Sequence, residues 1–212
     1  MSINYNEQLQ HAFNDWANTY EQEAEEKLKI RGYSYGILTK LIISYLDINK
    51  SHEILELGVG TGIIGKYLKN FLPTITINGI DISKEMIKEA QQKNVYNKLF
   101  LDAVDNHLYN QKYSFIYTSF MLHSVKNQEK LISKIYNTLQ DNGIFIIIDL
   151  IPNINKKDST LHSQKYEHGA PSNYKHLWEY LYLMEKNNFT IKEVKQLGIN
   201  KDYNHYIIVL KK

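Results

Sequence analysis

Glu56, Asp81 and Asp102 stand at the ends of three successive short apolar runs, and Glu56 opens the segment ELGVGTGIIG at residues 56–65. The glycines of that segment, Gly58, Gly60 and Gly62, let the backbone approach a ligand closely and aim free N–H groups of a helix start at it. A carboxylate offers acceptors matched to two adjacent hydroxyl donors, so Asp81 suits a ribose diol. Gly60, Gly62 and Gly65 also satisfy the G-x-G-x-x-G pattern of dinucleotide sites, with Asp81 lying about twenty residues on. The loop alone therefore leaves the kind of nucleotide open. Glu56, two residues ahead of Gly58, would repel a pyrophosphate and suit an ammonium such as that of S-adenosylmethionine, which carries no phosphate. Asp102, in LDAV, is placed to accept from an adenine amino group.

Strand ends and helix starts must hold these residues. His52 to Leu57 reads as a short strand, and Thr61 to Leu68 as the helix that the glycine loop opens. Thr74 to Ile80 is β-branched, and Ser83 then caps a helix that turns Met86, Ile87 and Ala90 inward. Leu99 to Leu101 and Ser114 to Thr118 are two more strands, followed by an amphipathic helix marked by Leu131, Ile132, Ile135, Tyr136 and Leu139. Asn142 and Gly143 are expected to stop that helix, with Gly143 in the left-handed conformation, before a strand at Ile144 to Ile148. Five strands alternating with helices predict an α/β fold, a parallel sheet covered on both faces.

Ahead of this core, residues 6–30 read as a helix with Phe13, Trp16 and Tyr20 on one face, and Tyr35 to Leu46 as a second helix. Beyond it, residues 152–173 read as a long loop or lid. A helix is expected around Tyr174 to Lys186, and then Phe189 to Leu197 and His205 to Leu210, joined by GINKDYN, as an antiparallel hairpin. The 212 residues suit a single domain: N-terminal helices over 1–50, a cofactor-binding core over 51–150, the lid or substrate loop over 151–173, and a helix with the hairpin over 174–212.

A net charge of +2, with basic residues scattered, gives no footprint for nucleic acid. Lys84, Lys88, Lys93 and Lys98 read as a solvated helix face. Zero cysteines remove a thiolate metal site and a cysteine nucleophile, and no apolar run approaches a bilayer span, so a cytoplasmic protein without membrane association is expected. His162 and His168 have no partners at ligand spacing, and no metal is expected. No heptad seam or interface stripe marks an oligomer.

FNDWANTY, ELGVGTG, INGIDISKEMIKEA, LDA, TSFMLHSV and LQDNGIFIIID together carry a resemblance. From about Phe13 to Lys212 the chain resembles class I S-adenosylmethionine-dependent methyltransferases, particularly small bacterial ones related to the ubiquinone and menaquinone methyltransferase group. The resemblance implies a Rossmann-like, seven-stranded, mostly parallel sheet with a C-terminal antiparallel hairpin and helices on both faces. It implies S-adenosylmethionine as cofactor, contacted by Glu56, Gly58, Gly60, Asp81, Ile82, Met86, Asp102, Ala103 and Ser119 beside the loop glycine Gly62, with Tyr20 over the methionine end. Methyl transfer to a small-molecule acceptor by in-line displacement is the implied activity. The family often has two histidines after the fourth strand, where this chain has His123 and Ser124, which weakens a catalytic role there. His123 stays a candidate base or substrate contact beside its reading as a hydrogen-bonded corner histidine. The acid-proline-proline-aromatic motif of nucleobase amine methylation is absent from TSFML. Tyr166 and His168 in the lid range, with Tyr174 at its end, are candidate substrate contacts, weighed against a solvated loop. Two rival readings share the glycine loop: a nicotinamide-dependent oxidoreductase, and a non-catalytic binding subunit on the same fold. The Tyr182 and Lys186 pair has dehydrogenase spacing, but a match of that kind is expected by chance among 17 tyrosines.

Overall fold

The computed structural model describes residues 4–47, 52–152, 167–198 and 203–212. Its strands are β1 (Glu53–Leu57), β2 (Thr76–Asp81), β3 (Lys98–Leu101), β4 (Tyr113–Ser119), β5 (Leu139–Pro152), β6 (Thr190–Gly198) and β7 (Tyr203–Lys211). They form one sheet in the order β3-β2-β1-β4-β5-β7-β6. The first five run parallel, while β7 is antiparallel to both β5 and β6, so the terminal hairpin inserts its second strand beside β5. The helices are α1 (Tyr5–Ile30), α2 (Tyr35–Ile43), α3 (Ile63–Phe71), α4 (Lys84–Gln92), α5 (Gln128–Thr138) and α6 (Leu177–Lys186). No helix among the described residues is long and apolar enough to cross a membrane.

Both faces of the sheet are apolar because alternate residues of each strand point to opposite sides. Ile54, Ile77, Phe115, Ile146 and Ile207 pack with Leu38 and Ile42 of α2 and Ile64 and Leu68 of α3. Leu55, Ile80, Ile116, Phe145 and Ile208 face Leu131 and Ile135 of α5 and Tyr180 and Met184 of α6. Local chemistry sets the helix starts. Asn4 and Glu7 form a reciprocal capping box on α1, and the Ser83 hydroxyl accepts from the Met86 N–H at the start of α4.

Several expectations change. The helix α5 ends at Thr138 and β5 begins at Leu139, which the sequence reading gave to the helix, so Asn142 and Gly143 lie inside the strand rather than at the helix end. The second helix ends at Ile43 rather than Leu46, and the Ser44 hydroxyl turns back to donate to the Leu41 carbonyl at 2.6 Å. Beyond α5, the left-handed residue is Asn142 (φ 63°), not Gly143. Asparagine tolerates that conformation, whereas Gly143 is needed for room: a Cβ there would lie 2.9 Å from the Gln140 carbonyl oxygen. Two positions in the range read as a lid, 152–173, belong to the packed fold. Pro152 still belongs to β5, paired with Tyr203, and Ala170 is buried against Leu9 and Ala12 of α1. Tyr166 and His162, with the rest of 153–166, lie outside the described residues.

The connection from β3 to β4 carries the chain across β1 to its other side. In open α/β sheets a crevice opens at such a reversal, outside the carboxyl ends of the strands.

Candidate active site

β1 ends at Leu57, and the chain turns through Gly58 (φ 72°), Gly60 (φ 54°) and Gly62 (φ 80°) into α3. Side chains disfavour these left-handed values, which is why glycine recurs here. The N–H groups of Gly58 and Val59 donate to the Ile80 carbonyl at 2.9 and 3.1 Å, tying the loop to the end of β2. Asp81 then braces both turns: one carboxylate oxygen accepts from the Gly60 N–H and the other from the Ser83 N–H, each at 2.8 Å. Burial pushes the Asp81 carboxyl above its ordinary range, and the backbone N–H groups of Ser83, Gly60 and Ile82 oppose that shift.

Tyr20, Gly58, Gly60, Asp81, Ile82, Met86, Ala103 and Ser119, all expected at a cofactor, line one cavity at the carboxyl ends of β1 to β4. Glu56, Gly62 and Asp102 stand elsewhere. Glu56 is 2% exposed and lies under the loop, accepting from the Tyr96 hydroxyl at 2.6 Å. Burial pushes its carboxyl up to about 8; the hydrogen bond from Tyr96 and the nearby Tyr117 hydroxyl oppose this, and the Asp81 charge adds to it. Gly62 closes α3 onto α4, since a Cβ there would meet the Ala90 backbone at 3.1 Å. Asp102 is exposed, accepting from the Ala103 N–H at 2.8 Å and meeting His107 Nδ1 at 3.0 Å. Asp105, buried, lines the cavity instead.

Asp105, Phe120, Met121 and Tyr96 are the residues that pattern reading misses. Gly65 carries the one signal that could have pointed to Tyr96: a Cβ at Gly65 would collide with the tyrosine hydroxyl that holds Glu56. Gly65→Ala is therefore expected to displace Tyr96 and to destabilise by about 1–3 kcal/mol of overpacking. For a chain of this size that lowers Tm by roughly 2–12 °C. A thermal melt matching wild type would show that the tyrosine moves aside freely.

His123 lies in the short 3₁₀ turn Leu122–Ser124 after β4 and is fully buried. Its backbone N–H donates to Asp149 at 2.8 Å, its Nδ1 lies 2.5 Å from the other oxygen of that carboxylate, and its ring stacks on Tyr174. The His123 carbonyl accepts from the Asn173 N–H at 2.6 Å, and the Gln128 side chain bridges the carbonyls of Leu122 and Asn173. His123 lines neither the cavity above nor the neighbouring one that Tyr174 lines, and it ties the loop carrying Ser119 and Met121 to the segment before α6. His168 stacks on Trp16 with ring centroids 4.4 Å apart and lies 3.3 Å from Glu23.

The family model of the methyltransferase domain matches residues 9–194. This chain belongs to that family. Among curated relatives, the methyltransferase domain is 29% identical over 140 residues to the malonyl-[acyl-carrier protein] O-methyltransferase of Bacillus anthracis, covering 65% of this chain and 51% of that protein. It is 24% identical over 124 residues to the demethylmenaquinone methyltransferase of Thermotoga maritima, covering 56% of this chain and 54% of that protein. The chain thus spans about half the length of these curated relatives. Its fold is shared with the magnesium protoporphyrin IX methyltransferase of Synechocystis PCC 6803 with bound SAM (TM-score 0.72, 12% identity, covering 100% of this chain and 98% of that one). It is also shared with an O-methyltransferase of a trans-AT PKS multienzyme of Brevibacillus brevis in complex with S-adenosyl-L-homocysteine (TM-score 0.70, 15% identity, covering 92% and 79%).

Proposed function

We propose that this methyltransferase domain transfers a methyl group from S-adenosylmethionine to a small-molecule acceptor by in-line displacement. The carrying observation is that the Asp81 carboxylate and the backbone of Gly58 and Gly60 meet in one cavity at the carboxyl ends of the parallel strands. Asp81 offers acceptors to a ribose diol, Ile82 and Met86 give an apolar bed for a base, and Gly58 and Gly60 keep room for an amino-acid end. Membership of the methyltransferase family supports the same cofactor, as do the adenosyl ligands named for the Synechocystis and Brevibacillus proteins.

Bound there, S-adenosylmethionine supplies a methyl group already activated on its sulfonium. The chain's own part is proximity and orientation of two ligands in a site that excludes water. His123 is read as a positioning residue, since Asp149 and Tyr174 hold it away from the cavity while its loop carries Ser119 and Met121. A cytoplasmic setting belongs to the same reading, in keeping with the absence of cysteine.

Calorimetric titration with S-adenosylmethionine, S-adenosylhomocysteine and NADH in parallel tests this reading. Micromolar binding of the two adenosyl ligands, with none of NADH, is expected. Binding of NADH alone would overturn it in favour of an oxidoreductase, and no binding by any of the three would favour a partner subunit.

A further inference from the structure

A second cavity, of about 180 Å³, shares Tyr20 and Phe120 with the first. A cavity of roughly 150 Å³ holds a benzene ring, so the space suits one ring with a small substituent. Its walls are largely aromatic, with Trp16, Tyr35, Tyr174 and Tyr203 beside Phe120. Its charged lining residues are Lys27 and Arg31, and among the described residues no acid lines it. Lys27 is answered by Glu23 at 4.0 Å and by the face of Trp16 at 5.0 Å.

Arg31 is different. One terminal nitrogen donates to the Lys27 carbonyl at 2.9 Å, but its Nε is buried without a hydrogen-bond partner, and no carboxylate among the described residues pairs with it. His205, on β7, is 3% exposed, and neither ring nitrogen has a partner. Burial and the Arg31 charge push it down to about 3, so the ring stays neutral and offers one N–H donor and one acceptor. Behind it, Tyr33 stands edge-on with ring centroids 5.7 Å apart, and its buried hydroxyl is likewise unpartnered. Three neighbouring side chains thus hold four unmet polar atoms beside an aromatic cavity. Buried polar groups almost always find partners, and packing alone gives no reason to gather four exceptions in one place.

We infer that the second cavity is the acceptor site and takes a single-ring aromatic carboxylate, its ring among the aromatic walls and its carboxylate answered by Arg31 and His205. The inference rests on reading the first cavity as the cofactor site, and it names the acceptor class for that reading. A planar guanidinium matches a carboxylate in shape as well as charge. Tyr20 and Phe120, belonging to both cavities, set the two ligands side by side.

The test uses the full chain carrying Trp178→Phe, which leaves Trp16 as its one tryptophan. Trp16 fluorescence is titrated with 4-hydroxybenzoate and with phenol, and S-adenosylhomocysteine affinity is measured on the same samples. 4-Hydroxybenzoate is expected to bind roughly tenfold or more tighter than phenol, the scale of one charge-assisted hydrogen bond. Arg31→Met and His205→Phe should each remove most of that preference and leave S-adenosylhomocysteine affinity unchanged. His205→Phe keeps a ring and deletes two unmet polar atoms, so it should melt no lower than its parent, and the parent's own ratio decides the matter even if Arg31→Met does not fold. Equal affinity for the two phenols, or no saturable signal from either, overturns the inference; retained S-adenosylhomocysteine binding in that case upholds the cofactor reading. A clear preference without S-adenosylhomocysteine binding would support the aromatic-acid site and overturn the cofactor reading.

Discussion

Asp81→Ala is expected to weaken S-adenosylhomocysteine binding by roughly 10²–10⁴-fold, since two hydrogen bonds to a charged acceptor contribute about 1.5–3 kcal/mol each. The same change releases the N–H groups of Gly60 and Ser83, which the carboxylate holds at 2.8 Å. The glycine loop then loses its tie to the start of α4. Asp81→Asn separates the two effects, because an amide oxygen still accepts from one N–H group while the negative charge is gone. Its affinity should fall between wild type and Asp81→Ala. Calorimetry on all three proteins is the check, and an alanine variant within about threefold of wild type would remove Asp81 from the cofactor site.

Glu56→Gln is expected to flatten the pH dependence of stability in the ligand-free protein. The folded-state value is raised from 4.5 to about 8, so the folded chain holds a proton that the unfolded chain has already lost. The contribution of Glu56 is fully present below pH 4.5 and is lost as pH rises through 8. At about 1.4 kcal/mol per pH unit, the loss across that window is on the order of 3–5 kcal/mol. Wild-type Tm should therefore fall between pH 5 and pH 8.5 more steeply than that of Glu56→Gln, and the variant should be the more stable at the upper end. Parallel melting profiles would show that Glu56 is ionised throughout. Because the Asp81 charge helps to keep Glu56 protonated, a cationic ligand in the cavity should draw that proton off. Calorimetry near pH 7 in buffers of different ionisation enthalpy would detect its release.

The repeated strand, turn and helix units are legible in the sequence because their signals are local. A short apolar run, a glycine turn and a capping serine are each readable within a few residues, and eight of the expected cofactor residues meet in one cavity for that reason. Glu56 shows where such reading stops. Its type and spacing are visible, but its burial depends on Tyr96, forty positions away, which only the packing of α3 and α4 brings over it. Asn142 and Gly143 make the same point on a smaller scale. Either residue suits a left-handed turn; Asn142 adopts it, while Gly143 answers a different need, a place with no room for a Cβ. His205 reads as one more strand residue, and nothing in the alternation of β7 announces two nitrogens without partners.

Phe120 holds a left-handed backbone (φ 54°), and its N–H donates to the Ile148 carbonyl at 2.8 Å, so the loop is anchored in a conformation that non-glycine residues seldom adopt. Its ring and that of Tyr20 form a wall common to both cavities. These two rings are the route by which occupants of the two spaces would be thermodynamically linked. If seating one ligand reorients either ring, the affinity for the other changes by some factor, and reciprocity requires the same factor in the opposite direction. The size of that factor follows from the free energy of two aromatic rings, a coupling that comes in addition to the contact methyl transfer itself requires and that leaves the order of loading to the ligands' own affinities and concentrations.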